Sequence, residues 1–279
     1  MMLPHAVIAA VFLLLAGGFA SARDPAAAVL EMSADGEVQI AVDGKVSDYR
    51  LRSTLAPAVA DLVDRNVRGW TFEPVVVDGV PVIAKTAVHL DLKAEPTELK
   101  DKYKLRIVNV TFGAPRRASN DHMRPPHYPE AAVGAHLGAK VWLYLLLDDT
   151  GKVVQAQARQ TSLDKQANSE VEAERWRKLF EKSSIAAAKE WHFDLSEAIN
   201  GKTIGMTAVV PIVYSVRDMP ARAPENEWKS YAPGPVHPAP WLSTAGGADN
   251  SALSTLQDGQ ALSLESRFRL KDDVVGKAL

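Results

Sequence analysis

Residues 138–153 read GAKVWLYLLLDDTGKV, and this stretch decides the fold of the carboxy-terminal half of the chain. The run from Val141 to Leu147 contains almost no polar residue, which predicts a strand buried on both faces. Residues Asp149 to Lys152 have the composition of a turn, and they lead into a second strand from Val153 to Arg159. The stretch therefore predicts a β-hairpin.

The residues after this hairpin predict a long amphipathic helix and a closing strand. Ser169, with Glu172 three residues later, is a capping box at the start of the helix. The helix runs into Trp191-His192-Phe193, and the turn Asn200-Gly201-Lys202 leads to a strand from Met206 to Tyr214. Five apolar residues recur on one stripe of the helix: Val171, Trp176, Leu179, Phe180 and Ala187.

The amino-terminal half shows the same order of features in a weaker form. The strand Val38 to Val42 lies between Asp35-Gly36 and Asp43-Gly44, and Asp-Gly is a strong hairpin signal. A helix from Leu55 to Val67 follows, with Ser53 or Thr54 as its N-cap, Pro57 in its first turn and Gly69 at its end. The next features are Trp70-x-Phe72, the turn Asp78-Gly79 and a strand from Pro81 to Leu92. This order indicates a duplicated unit of roughly 70 residues.

The first 22 residues contain no Asp, Glu, Lys or Arg. Their apolar run, Ala6 to Ala16, leads to Ala20-Ser21-Ala22, the small-residue pattern of a signal-peptidase site. The run is shorter than the roughly 20 residues that span a bilayer. We interpret it as a cleaved signal peptide of a periplasmic protein. The alternative is an uncleaved inner-membrane anchor, because no Lys or Arg precedes the run.

The composition limits the classes of protein and partner. The chain has no cysteine, so it relies on its core, and 47% apolar residues are sufficient for two domains of about 100 residues. Its formal charge of −2 comes from interspersed charges of both signs, which argues against the basic face of a nucleic-acid-binding protein.

Other segments are predicted to connect or extend the two units. Glu95 to Lys104 is polar and indicates a linker, Leu105 to Phe112 one more strand, and Gly113 to Pro126 a second loop. After Ser215 the chain is rich in proline, and Leu242 to Asp258 is small and polar, so we expect a stiff, partly disordered tail. Within the tail, Leu262 to Val275 has enough apolar residues to dock.

A series of motifs in the second half resembles the TonB C-terminal domain family. The motifs are Pro126-His127-Tyr128-Pro129-Glu130-Ala131-Ala132, Gly138 to Val141, Asp148 to Val153, Ala187 to Phe193, Asn200 to Lys202 and Val210-Pro211-Ile212. Each motif is weak alone, but together they follow the family's order over about 90 residues. The residues that match most directly are Tyr128, Pro129, Gly138, Gly151, Trp191, Phe193 and Gly201.

The resemblance implies an α+β fold of tandem TonB-C-terminal-like units, each a small antiparallel sheet with a helix packed on one face. Residues 123–216 form the better unit, and residues 28–94 form a degenerate unit that lacks Tyr-Pro. The other boundaries are 1–22 for the signal peptide, 95–122 for a linker with an extra strand, and 217–279 for the tail.

Three features depart from the family. Members that transduce energy keep an uncleaved inner-membrane helix, whereas the first segment here is predicted to be cleaved. No Pro-rich spacer precedes the domain, and proline follows it instead, while Glu170 to Phe180 lengthens the helix.

In the resembled family the closing strand binds a short receptor peptide as an added strand. Carried onto this chain, the binding strand comprises Met206, Thr207, Ala208, Val209, Val210, Pro211, Ile212, Val213 and Tyr214, and Pro211 interrupts its donors. The alternative is that the other half or the tail already occupies this edge.

The leading hypothesis is a non-catalytic periplasmic TonB-like protein that binds envelope or outer-membrane receptors and is linked to receptor-mediated transport. The alternatives are an envelope adaptor without energy transduction and an exported enzyme with an unrecognised site. No nucleophile motif is present, and His122, His127 and His136 lack the spacing of a zinc site. We therefore expect no metal, no cofactor and no small-molecule substrate.

Overall fold

The computed structural model describes residues 29–97, 102–117, 124–215, 231–242, 253, 256–264 and 266–279. The predicted signal peptide lies outside these residues. The architecture is mixed, with mostly antiparallel sheets and few helices.

The first half contains two strands, a helix and a short hairpin, followed by two long strands and one short strand. Its elements are β1 (Leu30–Ile40), β2 (Val46–Leu51), α1 (Pro57–Arg68), β3 (Val76–Val77), β4 (Val80–Pro81), β5 (Ala84–Pro96), β6 (Tyr103–Phe112) and β7 (Arg116–Arg117).

The second half has the same alternation, with a longer helix. Its elements are α2 (Glu130–Gly134), β8 (Ala139–Leu147), β9 (Val153–Leu163), α3 (Glu170–Ala188), β10 (Phe193–Asp194), β11 (Ala198–Ile199), β12 (Lys202–Thr203), β13 (Met206–Tyr214) and β14 (Leu262–Ser263).

Two sheets dominate the fold. The first has the order β12-β11-β5-β1-β2, with β6 also on β5, and the second has the order β14-β13-β8-β9. All strand pairings in both sheets are antiparallel. The β11–β12 hairpin of the second half therefore extends the sheet of the first half, whereas β3 and β4 pair only with each other within the described residues.

The middle strands of the two sheets, β1 and β8, have the same pairing pattern. Strand β1 lies between β2 and β5, strand β8 lies between β9 and β13, and each is irregular at its last residue beside the strand that follows it in the chain. The equivalent register pairs are Ile40–Ala84 and Ile40–Val46 in the first sheet, and Leu147–Met206 and Leu147–Val153 in the second.

A glycine turn is joined to the residue after the helix in both halves. The Phe72 N–H donates to the Gly44 carbonyl at 2.7 Å, and the Phe193 N–H donates to the Gly151 carbonyl at 2.9 Å. The φ angles of Gly44 and Gly151 are 86° and 93°, and an added Cβ at either position would collide with the phenylalanine carbonyl oxygen. Glycine is required here both for its φ and for the close approach of two backbones.

The Trp-x-Phe residues lie in two separate hydrophobic cores. Trp70 and Phe72 are buried with Val63 and Val67 of α1. Trp191 and Phe193 are buried in the second core, which also contains Phe180 of α3. Both indole N–H groups have a hydrogen-bond acceptor: Trp70 Nε1 donates to Asn66 Oδ1 at 2.9 Å, and Trp191 Nε1 donates to the Arg124 carbonyl at 3.0 Å.

The prediction that Asp35-Gly36 is a turn is wrong, because β1 continues through it. Gly36 serves packing: a Cβ there would lie 2.6 Å from Tyr49 Cε2. The turn is instead at Asp43-Gly44, where the Asp43 carboxylate accepts from the Lys45 N–H at 3.0 Å.

Two details of the helices also differ from the prediction. Helix α1 has Ala56 at its N-cap with no side-chain cap, and Ser53 instead accepts a hydrogen bond from the Asp35 N–H. On α3, Ser169 caps as predicted, but Val171 is 83% exposed. The residues buried on α3 are Ala173, Arg177, Phe180, Ser184 and Ala188, which follow helical spacing but are partly polar.

The segment predicted as a linker at Glu95 to Lys104 contributes the ends of two strands of the first sheet at its described positions, and its residues 98–101 lie outside the part of the chain that the structure describes. Strand β5 extends to Pro96 and β6 begins at Tyr103, so the two strands form a hairpin that the polar composition concealed. The predicted strand Leu105 to Phe112 and the closing strand Met206 to Tyr214 are confirmed.

We expect Gly151→Ala to destabilise the fold far more than Gly201→Ala. Both glycines have positive φ, but an added Cβ has no neighbour within 4 Å at Gly201 and collides with backbone at Gly151. The expected losses in unfolding free energy are about 1 kcal/mol for Gly201→Ala and about 3 kcal/mol or more for Gly151→Ala. Urea titration of both variants measures the difference, and equal losses would contradict the close-approach argument.

Candidate functional site

The predicted binding strand, β13, has one long-strand neighbour, β8, to which it pairs along its whole length from Met206 to Tyr214. Alternate residues of β13 from Met206 to Tyr214 belong to the second core, and Val209 on the opposite face belongs to a separate cluster with Trp142 and Tyr144. Strand β8 is buried on both faces, which confirms the prediction made from its apolar sequence.

The other edge of β13 is occupied by residues 258–264 of the tail. The Thr207 carbonyl accepts from Leu264 N–H at 3.0 Å, and the Pro211 carbonyl accepts from Gly259 N–H at 2.7 Å. At the end of the edge, the Val213 N–H donates to Asp258 Oδ1 at 2.9 Å.

Between these contacts, β14 pairs with β13 for two residues, in the register Ala208–Ser263 and Val209–Leu262. Of the two alternatives drawn from the sequence, the structure therefore has the edge occupied by the tail. The nitrogen of Pro211 faces the outward edge, so the missing N–H breaks no hydrogen bond with β8. This explains why a proline is tolerated in this strand.

The tail also covers the outward face of the second sheet. Trp142, Tyr144 and Val209 form an apolar cluster with Ala239, Leu253 and Leu256 of the tail, while Trp241, Leu242, Leu262 and Leu264 pack around it. Lys140 Nζ lies 4.2 Å from the centre of the Trp142 ring, and burial lowers the pKa of Lys140, against the effect of the Asp258 charge.

A second part of the tail follows the far edge of the same sheet, along β9. Leu163 and Ala232 exchange two backbone hydrogen bonds of 3.0 and 2.8 Å, and the Arg159 carbonyl accepts from His237 N–H at 2.7 Å. The tail thus covers both edges of the second sheet.

The last described segment, residues 266–279, returns to the first half. Phe268 is buried in the first core, and Glu73 N–H donates to the Arg269 carbonyl at 2.8 Å. At the end of the chain, Leu279 N–H donates to the Leu105 carbonyl at 3.0 Å. The prediction that Leu262 to Val275 docks is confirmed. Most of the segment predicted to be disordered, residues 243–252, lies outside the described residues.

Glu197 is a buried carboxyl where the two halves and the tail meet. Its side chain is 1% exposed, a Cβ on Gly113 would collide with it, and Ser266 Oγ donates to Glu197 Oε1 at 3.3 Å. Burial raises the pKa of Glu197 to about 7, although the Ser266 hydrogen bond and the Arg267 charge act in the opposite direction.

The residues that carry the family resemblance have structural positions around β13. Tyr128 donates its hydroxyl to the Leu137 carbonyl at 2.8 Å, and its ring packs edge-on against Tyr214 at 5.4 Å between centroids. Pro129 is the N-cap of α2, and a Cβ on Gly138 would lie 2.6 Å from the Tyr214 carbonyl oxygen. Gly201 takes a φ of 79° in the β11–β12 turn.

A polar cluster on the outward face of the first sheet was missed from the sequence. His89 Nδ1 lies 2.8 Å from Asp35 Oδ1, and His89 Nε2 lies 3.3 Å from Asp91 Oδ1. Burial would raise the pKa of Asp91, but hydrogen bonds from Asn109 and Ser33 and the neighbouring His89 hold that pKa below its ordinary value. The alternation of His89-Leu90-Asp91-Leu92 indicated an outward polar face, but not the pairing of β5 with β1 that brings Asp35 to it.

This cluster lines a cleft of about 1050 Å³ between the first sheet and tail residues 256–262. Ser33 Oγ donates to Asp91 Oδ1 at 2.8 Å rather than bonding to the imidazole, so the cluster is not arranged as a nucleophile with its base. Among the described residues, no group of three or more His, Asp or Glu side chains is placed to hold a metal ion. His122 lies outside the described residues.

Comparison with known proteins gave no identification. No protein-family model matches the chain, and no similar curated protein or solved structure was found. In the described part of the chain, none of the helices has the length and apolarity needed to cross a bilayer.

We expect Glu197 to make stability fall as pH rises from about 4.5 to 7. In this window the folded chain keeps the Glu197 proton and the unfolded chain releases it, so the unfolding free energy decreases by about 3 kcal/mol. Glu197→Gln stays neutral and is expected to remove this decrease, as measured by urea unfolding at pH 5 and pH 8. Glu190→Gln, at an exposed position, is the control, and an unchanged pH dependence in Glu197→Gln would contradict the assignment.

Proposed function

We propose that the protein is a non-catalytic, exported TonB-like binding protein that takes an extended segment of an envelope or outer-membrane receptor onto the outer edge of β13. The observation that carries this proposal is the small number of backbone hydrogen bonds and register pairs between the described tail residues and that edge. Among the described residues, strand β14 contributes two register pairs, and Leu264, Gly259 and Asp258 each add a hydrogen bond to β13. A longer partner strand that offers more main-chain bonds competes for the same groups.

The proposed family relation also rests on two tandem units of one design. The equivalent registers around Ile40 and Leu147 support this, as do the two glycine-to-phenylalanine hydrogen bonds. The turns Asp78-Gly79 and Asn200-Gly201 agree as well, because all four residues have positive φ between 49° and 80°. The strand register, the irregular last residue of the middle strand and the turn conformation are set by different residues. Because all three are the same in the two halves, they favour duplication of one unit.

The runner-up is an envelope adaptor that holds partners without energy transduction. The tail favours it, because residues 231–237 and 258–264 cover the two edges of the second sheet and residues 266–279 reach the first core. A tail that contacts both halves in this way suits a rigid scaffold.

A disulfide lock tests the role of the edge directly. Ala208 and Ser263 are register partners, and the neighbours of Ala208 on β13, Thr207 and Val209, direct their backbone groups towards the tail. Ala208 and Ser263 therefore form a non-hydrogen-bonded pair, in which the two Cβ atoms lie close together. Because the chain has no cysteine, Ala208→Cys with Ser263→Cys creates one bond, which locks the tail when oxidised and releases it when reduced.

We expect peptides selected from a displayed random library to bind the reduced double variant and to lose at least about tenfold in affinity when it is oxidised. The matched control is Ala84→Cys with Ile199→Cys, which bonds β5 to β11 away from the edge. Fluorescence polarisation of the selected peptides measures both proteins. Peptide binding that oxidation leaves unchanged, or a library with no selectable binder, would contradict the proposal.

A further inference from the structure

The tail segment 258–264 occupies the edge of β13 to which the proposed function assigns a partner, and the following inference rests on that function. We propose that β13 selects an antiparallel segment of another envelope protein with the pattern acidic–Gly–x–x–apolar–x–apolar. Residues 258–264 carry this pattern as Asp-Gly-Gln-Ala-Leu-Ser-Leu and act as a ligand in cis that a partner replaces.

The acidic position follows from the geometry at the end of β13. The Val213 N–H points outward and donates to Asp258 Oδ1 at 2.9 Å. Lys140 is the register partner of Val213 on β8, and the Asp258 charge acts on its ammonium group. A carboxylate therefore receives a backbone donor and a neighbouring cation, whereas a neutral side chain receives neither in full.

The glycine position follows from Pro211. The outward edge of Pro211 offers a carbonyl and no N–H, so the added strand cannot form a regular pair there. Gly259 instead donates its N–H to the Pro211 carbonyl while its own φ is 68°, in the left-handed region. A residue with a side chain adopts this bend at a cost, so the position favours glycine.

The two apolar positions lie over the aromatic cluster. Leu262 is the register partner of Val209, and Leu262 and Leu264 both pack on the cluster of Trp142, Tyr144 and Val209. Residues two apart on a strand share one face, so the spacing of the two leucines matches one apolar surface.

The segment in cis is not the best ligand that this edge can accept. The hydroxyl oxygen of Ser263 is buried with no hydrogen-bond partner among the described residues. An unsatisfied buried hydroxyl weakens binding, so a partner with alanine at this position has an advantage over the tail.

A labelled peptide of residues 256–266 tests the rule by fluorescence polarisation. The protein is the full chain with Asp258→Ser, Leu262→Ser and Leu264→Ser, which disables its own segment. We expect saturable binding, weakened at least about tenfold by Asp258→Ala or Leu262→Ser in the peptide. Gln260→Ser is the control and leaves binding unchanged, and Ser263→Ala tightens it by about fivefold. Equal binding of all these peptides would overturn the rule.

A register test does not depend on the triple variant. A peptide with Ser263→Cys, supplied as its disulfide with 5-thio-2-nitrobenzoate, is mixed with the full chain carrying Ala208→Cys; the protein thiolate attacks the peptide sulfur, forms the protein–peptide disulfide and releases thionitrobenzoate. We expect this exchange to be at least about tenfold faster than with a peptide activated in the same way at Gln260→Cys. Equal rates would overturn the register.

The two proposals fail in different ways. If peptide 256–266 does not bind but the library peptides still lose affinity on oxidation of the lock, the recognition rule is wrong and the proposed function stands. If no peptide binding responds to the lock, the proposed function itself is wrong.

Discussion

The fold depends on one backbone hydrogen bond that occurs in each half, from the phenylalanine of Trp-x-Phe to a turn glycine. In the second half it joins Phe193 to Gly151, and it fixes the end of α3 against the hairpin of β8 and β9. With that end fixed, the short path through β11 and β12 delivers the chain to the far side of β8, where β13 pairs. The bond forms because the glycine lets two backbones meet without a side chain between them.

The second constraint is that other parts of the chain cover strand edges in both sheets. A strand edge with free donors and acceptors invites pairing with other chains. Here β6 and β11 cover the edge of β5 in the first sheet, whereas a segment with two register pairs covers the equivalent edge of β13 in the second sheet. The two sheets therefore share a pairing pattern but differ in how strongly the equivalent edge is closed, and the weaker closure is what makes β13 the candidate site.

Local sequence patterns predicted the parts of the fold that local physics decides. The burial of β8 and the limits of β13 were predicted correctly, because the apolar run and the turn residues before the closing strand determine them. Gly36 misled because a glycine that makes room for Tyr49 across the sheet looks the same as a turn glycine. The path of the tail was not readable, since its contacts with Thr207, Leu163 and Thr71 use backbone groups that carry no sequence signal.

The position of the second-half hairpin has a consequence for the order in which the chain folds. The first sheet lacks a neighbour at Ala84 and Lys85 until β11 exists, and its core lacks Phe268 until almost the whole chain is present. A chain that emerges amino end first therefore holds an incomplete first half while more than a hundred further residues are delivered. During that interval the first half exposes both edge and core, which is the condition in which holding chaperones bind and aggregation begins. The amino-terminal half is thus synthesised first and completed last.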